Sequence, residues 1–221
     1  MIDARRLRTI SSPARLLFSM FVLLAAIHGC RTAPERPPAS TSEQAWEARH
    51  TRLSHWAHWA FKGRVAIRHE DEGWQAGLRW LQDSDRFEIQ VLDPLGRKVA
   101  DIRGGTGGVL LTTSRGESAR AGDPESLMRD VLGWSLPISG MRYWVLGVPD
   151  PRGGEASLEL DEAGRLIRLG QSGWDVNYRR YRPVEPLDMP TRMTLANREL
   201  DIKLIVSDWE LNEPARAARM K

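Results

Sequence analysis

The 221-residue chain has one cysteine, so no disulfide can form within it and burial alone must hold its core. No apolar run approaches the roughly 20 residues that a bilayer crossing takes. The longest, Leu16–Ile27, has 12. Catalytic signatures are missing too. There is no G-x-S-x-G, and Ser139-Gly140 lacks the preceding glycine of a nucleophile elbow. There is no G-x-x-x-x-G-K-[ST]; Gly104-Gly-Thr-Gly-Gly108 lacks the lysine and reads as a strand turn. His50, His55 and His58 sit close together without an Asp, Glu or Cys at ligand spacing, so they read as a solvated helix face and not as a metal site. These absences predict a protein that is not an enzyme and carries no cofactor.

What is present begins with Cys30. Arg5, Arg6, Arg8 and Arg15 precede the apolar run, and Ile27-His-Gly-Cys30 follows it. A basic start, a short apolar segment and a small residue before the cut have the order of a secretory signal. A cysteine just after the cut is the residue that lipoprotein processing acylates. The reading is a signal peptide over 1–29 and a Cys30 that carries S-diacylglycerol and an N-acyl group. Residue 31 is Arg; the absence of Asp there points to the outer membrane, with the chain facing the periplasm. Residues 1–29 hold four Arg and one Asp, the whole +3 of the chain, which leaves the remainder at 28 basic against 28 acidic residues. No polyanion-binding footprint survives processing, so nucleic acid is excluded as an expected partner.

Residues 30–42 are rich in Pro, Ser and Thr and read as a tether. Trp46, Leu53, Trp56 and Ala60 fall at helical spacings, which predicts a helix from Glu43 to Ala60. From Phe61 the period becomes two. Phe61, Gly63, Val65 and Ile67 begin a series of short alternating segments joined by acidic and glycine turns. The series amounts to about nine to eleven strands, enough to curl into a barrel. Asp123-Pro124 opens a helix with Leu127, Met128, Val131 and Leu132 on one face, and Gly133 stops it. Ile138, Met141, Trp144 and Val145 suggest a second short helix, ended by Gly147 and Pro149. Two Met- and Trp-rich helices between strand sets are placed to cover a barrel mouth. Residues 43–211 form the domain and 212–221 read as a disordered tail.

The segment Leu136-Pro-Ile-Ser-Gly-Met-Arg-Tyr-Trp-Val-Leu-Gly-Val-Pro149 resembles the signature of the LolB family, outer-membrane lipoprotein receptors. Asp93-Pro-Leu-Gly96, Gly173-Trp-Asp-Val-Asn-Tyr178, Met189-Pro190 and Ile202–Trp209 fall where that family has similar pieces. The resemblance spans residues 45–210. It implies a mostly β, incomplete antiparallel barrel with a helical lid, an apolar cavity and a monomeric state. It also implies an activity: taking lipoproteins from the periplasmic carrier LolA by their acyl chains and placing them in outer-membrane lipid. A non-catalytic scaffold lipoprotein of the envelope is the alternative.

Such a task has a definite physical demand. Three acyl chains carry roughly 45 methylenes, and exposing them would cost on the order of 36 kcal/mol. Cargo must pass between apolar cavities without meeting water. Trp74, Leu78, Trp80, Phe87, Ile89 and Val91 from strands, with Met128, Met141 and Trp144 from the lid, are the candidate acyl-binding residues; each either lines a cavity or fills a core. In Asp93-Pro94-Leu95-Gly96 the residue types fit a type I turn that leaves Leu95 at a hairpin tip. The family carries an apolar residue on a protruding loop here, which implies that Pro94, Leu95 and Gly96 form a membrane-insertion loop.

Overall fold

A computed structural model describes residues 41–54 and 56–211. The expected signal segment, Cys30, most of the expected tether, His55 and the expected tail lie outside them. Helix α1 (Thr41–Ser54) leads into β1 (His58–His69), β2 (Glu72–Asp83), β3 (Arg86–Leu92), β4 (Lys98–Gly105), β5 (Gly108–Thr113) and β6 (Ser118–Ala121). Helices α2 (Pro124–Leu132) and α3 (Ile138–Trp144) follow. The chain then returns to strand in β7 (Ala156–Leu160), β8 (Leu166–Gln171), β9 (Trp174–Val184), β10 (Leu187–Ala196) and β11 (Leu200–Leu211).

All eleven strands belong to one antiparallel sheet in the order β6-β5-β4-β3-β2-β1-β11-β10-β9-β8-β7. The first and last strands, β1 and β11, are neighbours, whereas β6 and β7 are unpaired edges. Inward side chains from both halves join one core, which includes Leu111 on β5 and Leu169 on β8. The sheet is therefore curled but not closed, and the link between its two edges carries α2 and α3.

Alternation decides the register. On β1, Trp59 and Phe61 are buried while Lys62, Arg64 and Arg68 are exposed. Trp59, Phe61, Trp80 and Trp209 pack with neighbouring ring centroids 5.2–6.0 Å apart. That cluster corrects the expected first helix. It ends at Ser54, and 58–60 are strand, because Trp59 pairs across to Gln82 and its indole is worth more buried against the sheet than on a helix stripe. The helix also starts at Thr41, two residues before the expected domain boundary. Pro190 lies inside β10, beside a register shift that accommodates its missing N–H.

On α1, Trp46, Arg49 and Leu53 face inward. The Arg49 Nη2 donates to the Asp188 carbonyl at 2.6 Å, and its guanidinium lies 5.4 Å from the Tyr181 ring centroid. The β7–β8 turn presses directly on this helix. Gly164 has φ +68°, and a Cβ there would sit 2.4 Å from the Trp46 nitrogen. Gly164→Ala is expected to lose about 2–3 kcal/mol from backbone strain alone, with more from displacement of α1. Urea denaturation followed by tryptophan fluorescence measures it; an unchanged midpoint would mean that the helix yields freely.

Candidate functional site

The β1–β2 turn, the β3–β4 loop and the β5–β6 turn of an antiparallel meander must lie at one end of the sheet. Helix α2 reaches that end with its C-terminus. Asp123 caps its start: its carboxylate accepts from the Ser126 N–H at 2.8 Å and Oγ at 2.9 Å, and the backbone bond, followed by the hydroxyl, holds its carboxyl below the usual range. Gly133 ends it at φ 83°, donating to the Arg129 carbonyl. Trp134 then turns onto the β1–β2 hairpin, 5.5 Å from the Trp74 ring and 5.9 Å from the His69 ring.

Between this helical pair and strands β1–β5 lies an apolar cavity of about 450 Å³. Leu78, Ile89, Val91, Ile102 and Leu111 contribute its walls, Trp80 faces it from near the aromatic cluster, and Met128, Leu132, Ile138 and Met141 form its roof. Gln75 is its one amide or charged lining residue. Trp74, Val131 and Leu132 are each more than two-fifths exposed, which marks where the cavity meets solvent. Leu95 and Val99 are also exposed, so five of the nine exposed large apolar side chains among the described residues sit at this end. An apolar rim of that kind is the mark of an interaction site.

Three ties hold the roof. The Glu125 carboxylate on α2 accepts from the Ser139 N–H at 2.8 Å and Oγ at 3.1 Å on α3. Arg142 pairs with Asp85 of the β2–β3 turn at 3.1 Å. The Trp144 indole donates to Gln171 Oε1 at 2.9 Å, and the Trp144 carbonyl accepts from the Tyr178 hydroxyl at 2.8 Å. Burial pushes that phenol well above its ordinary value, so it remains a neutral donor.

Seven of the nine candidate acyl-binding residues line this cavity: Trp74, Leu78, Trp80, Ile89, Val91, Met128 and Met141. Two do not. Trp144 is almost wholly buried and anchors α3 to the far half of the sheet, packing 6.3 Å from Trp174. Phe87 lies over Gly104, where a Cβ would meet its ring at 2.3 Å, and faces a separate polar cleft. Trp134, Leu136 and Ile138 were not among the candidates. Trp134 had a signal, because the residue after a left-handed helix-ending glycine commonly makes an apolar contact. For the β4 and β5 residues Ile102 and Leu111, alternation gave the face but not the helix opposite it.

The Asp93–Arg97 loop rises directly from cavity strands, since Val91 and Ala100 both line the cavity and pair across β3 and β4. The Gly96 N–H donates to the Asp93 carbonyl at 2.9 Å, and Gly96 adopts φ +81°. The Asp93 carboxylate accepts from the Leu95 and Arg97 N–H groups, each at 2.9 Å, and pairs with the Arg97 guanidinium at 2.7 Å. These bonds, the Arg97 backbone first, lower its pKa. Leu95 is left 80% exposed at the tip of a braced turn.

The comparisons with known proteins agree with this geometry. A family model described as outer membrane lipoprotein LolB matches residues 57–209. The outer-membrane lipoprotein LolB of Nitrosococcus oceani is 35% identical over 196 residues, covering 89% of this chain and 96% of that protein. That of Chromohalobacter salexigens is 37% identical over 190 residues, covering 86% and 88%. Among solved structures, a Vibrio parahaemolyticus domain named for outer-membrane lipoprotein sorting aligns with a TM-score of 0.50. It is 10% identical, covers 79% of this chain and 94% of that domain, and speaks to the fold alone.

Proposed function

This chain belongs to the LolB family, and we propose that it is an outer-membrane lipoprotein that receives other lipoproteins by their acyl chains and passes them into lipid. The apolar cavity carries the reading, because it opens at the same end of the sheet as the exposed Leu95. Chains leaving such a cavity meet the rim of Trp74, Val99, Val131 and Leu132 before they meet water. The donor is a soluble periplasmic carrier of the LolA kind. No bond is made or broken in the transfer, so direction comes from affinity: carrier, then this cavity, then bilayer.

Capacity sets a further condition. About 450 Å³ lies toward the small end of pockets that hold one drug-sized ligand, roughly 300–1,000 Å³. Three acyl chains together need more, so α2 and α3 must lift for a full cargo to enter. The Arg142–Asp85 pair, between an exposed turn carboxylate and the lid, is the tie that yields at least cost, since solvent-screened pairs contribute about 0–1 kcal/mol. The decisive experiment mixes this chain with a carrier–lipoprotein complex and follows the cargo by size-exclusion chromatography. Transfer supports the reading. Cargo that stays on the carrier rejects it and leaves an envelope scaffold.

Attachment rests on Cys30. Cys30→Ser is expected to leave the chain unacylated, so that a salt wash shifts it from the membrane to the soluble fraction, because one leucine at a loop tip contributes only about 1.5–3 kcal/mol and charge contacts are screened by salt. Mass spectrometry of the mature N-terminus, with fractionation, tests this; an unmodified residue 30 in the parent would remove the anchor.

A further inference from the structure

Charge on the outer face of the sheet is segregated in a way the neutral total conceals. Register aligns Arg64 on β1 with Ile205 on β11, Ile205 with Arg192 on β10, and Arg192 with Arg180 on β9. All four side chains are exposed. A register shift after Arg192 pairs Met193 with Tyr178, which sets Arg179 beside Arg180 as an extra residue. Lys203 stands two residues from Ile205 on the same strand face. Three neighbouring bases are compensated: Lys62 lies 4.0 Å from Glu210, Arg68 lies 2.7 Å from Asp201, and Arg168 pairs with Asp175. Among the described residues, Arg64, Arg179, Arg180, Arg192 and Lys203 have no such partner.

Like charges facing each other across strands, as Arg180 and Arg192 do, destabilise a sheet. The arrangement is therefore one that an external anion would relieve. Four of the five uncompensated groups are guanidiniums, whose planar fork matches phosphate oxygens. Ile205, 44% exposed at the centre of the row, adds an apolar contact. Ten residues separate Cys30 from Thr41. A chain of that length spans at most about 40 Å, so an acylated Cys30 keeps this face within reach of the leaflet.

We propose that the outer face of β1, β11, β10 and β9, centred on Arg64, Arg180 and Arg192, docks on the phosphate headgroups of anionic lipid in the membrane that holds the chain. The proposal rests on the reading of Cys30 as the anchor. It adds a side-on stance to the loop-first contact through Leu95. The two surfaces are distinct: β2 and β3 separate the row from the β3–β4 loop.

The test uses the chain from residue 30 onward with Cys30→Ser, so that no acyl group contributes, and vesicles of phosphatidylcholine with or without phosphatidylglycerol. The chain is expected to sediment with the anionic vesicles alone, and less as salt rises. Arg64→Gln/Arg180→Gln/Arg192→Gln is expected to weaken sedimentation about a hundredfold. Circular dichroism confirms that the triple variant is folded. Equal sedimentation of the triple variant and its parent overturns the proposal, as does equal binding to the neutral vesicles. If the triple variant instead loses cargo uptake from a carrier in vesicle-free solution, the row docks an acidic protein and the lipid assignment is wrong. The state of Cys30 is read separately, from the mass of the parent's N-terminus, so failure of the anchor and failure of the face give different results.

Discussion

Leu95→Glu takes up cargo from a carrier at the parent's rate and fails to place it in lipid. The side chain is 80% exposed and touches no part of the cavity, so removing it leaves the walls and the roof as they are. What it changes is the loop's affinity for a bilayer. Burying one leucine contributes about 1.5–3 kcal/mol, a factor of roughly ten to a hundred in occupancy, and a carboxylate at that position reverses the sign. The loop itself persists, because its bracing comes from the Asp93 and Arg97 side chains and from backbone groups, and not from the Leu95 side chain. Ionisation of Asp93 strengthens those bonds and makes the pair with Arg97 possible. Its lowered pKa means that this bracing is fully present above the ordinary carboxylate range and is lost as pH falls through the depressed value, so presentation of Leu95 is constant at neutral pH. The measurement is incorporation of a purified lipoprotein into vesicles, beside uptake from the carrier. Normal incorporation by Leu95→Glu would remove the loop from the mechanism; lost uptake would place Leu95 in carrier docking instead.

The second large effect is expected at Ile89. This residue is buried, lies in register between Trp80 and Ile102, and lines the cavity with both. A carboxylate there has no hydrogen-bonding partner among the apolar walls. It costs several kcal/mol to keep charged, and protonated or hydrated it still puts polar oxygen where methylenes must lie. Ile89→Glu is expected to lose acyl uptake by at least a hundredfold. Because the same side chain supports the sheet, Leu132→Glu is the companion. Leu132 is 43% exposed at the mouth, so its replacement leaves the core packed and should cut uptake about tenfold. An apolar fluorescent probe reports both. A folded Ile89→Glu that binds the probe as the parent does, with an unaffected Leu132→Glu, would show that the chains lodge elsewhere.

Much of the fold could be read from residue types because each decision was local. Asp123, Pro124 and Gly133 set the ends of α2 through capping and a left-handed stop, and these act over a few residues. Alternation around Ile89 and Ile202 set which side of each strand is buried. Errors arose where a distant partner outweighed the local pattern. Trp56 to Ala60 suit a helix by spacing, yet 58–60 join β1 because β2 and β11 are there to pair with them. The short β6 has almost no apolar signal of its own and exists through its pairing with β5.

Composition and order alone determined that the chain is mostly β, that a single cysteine follows a signal-like segment, that no nucleotide or metal motif is present, and that a leucine tops a turn. Only the tertiary structure decided which apolar side chains face empty space. Trp80 and Trp144 are both nearly buried tryptophans beside short polar turns or helices, and nothing in their neighbourhoods separates them; one looks into the cavity and the other is bonded to Gln171. A cavity is a property of the distance between two surfaces, here α2–α3 and the curled sheet. That distance is set by contacts such as Arg142 with Asp85 and Trp134 with Trp74, whose partners lie 57 and 60 residues apart. Periodicity reports which face of an element shuns water, and it carries no information on what stands opposite.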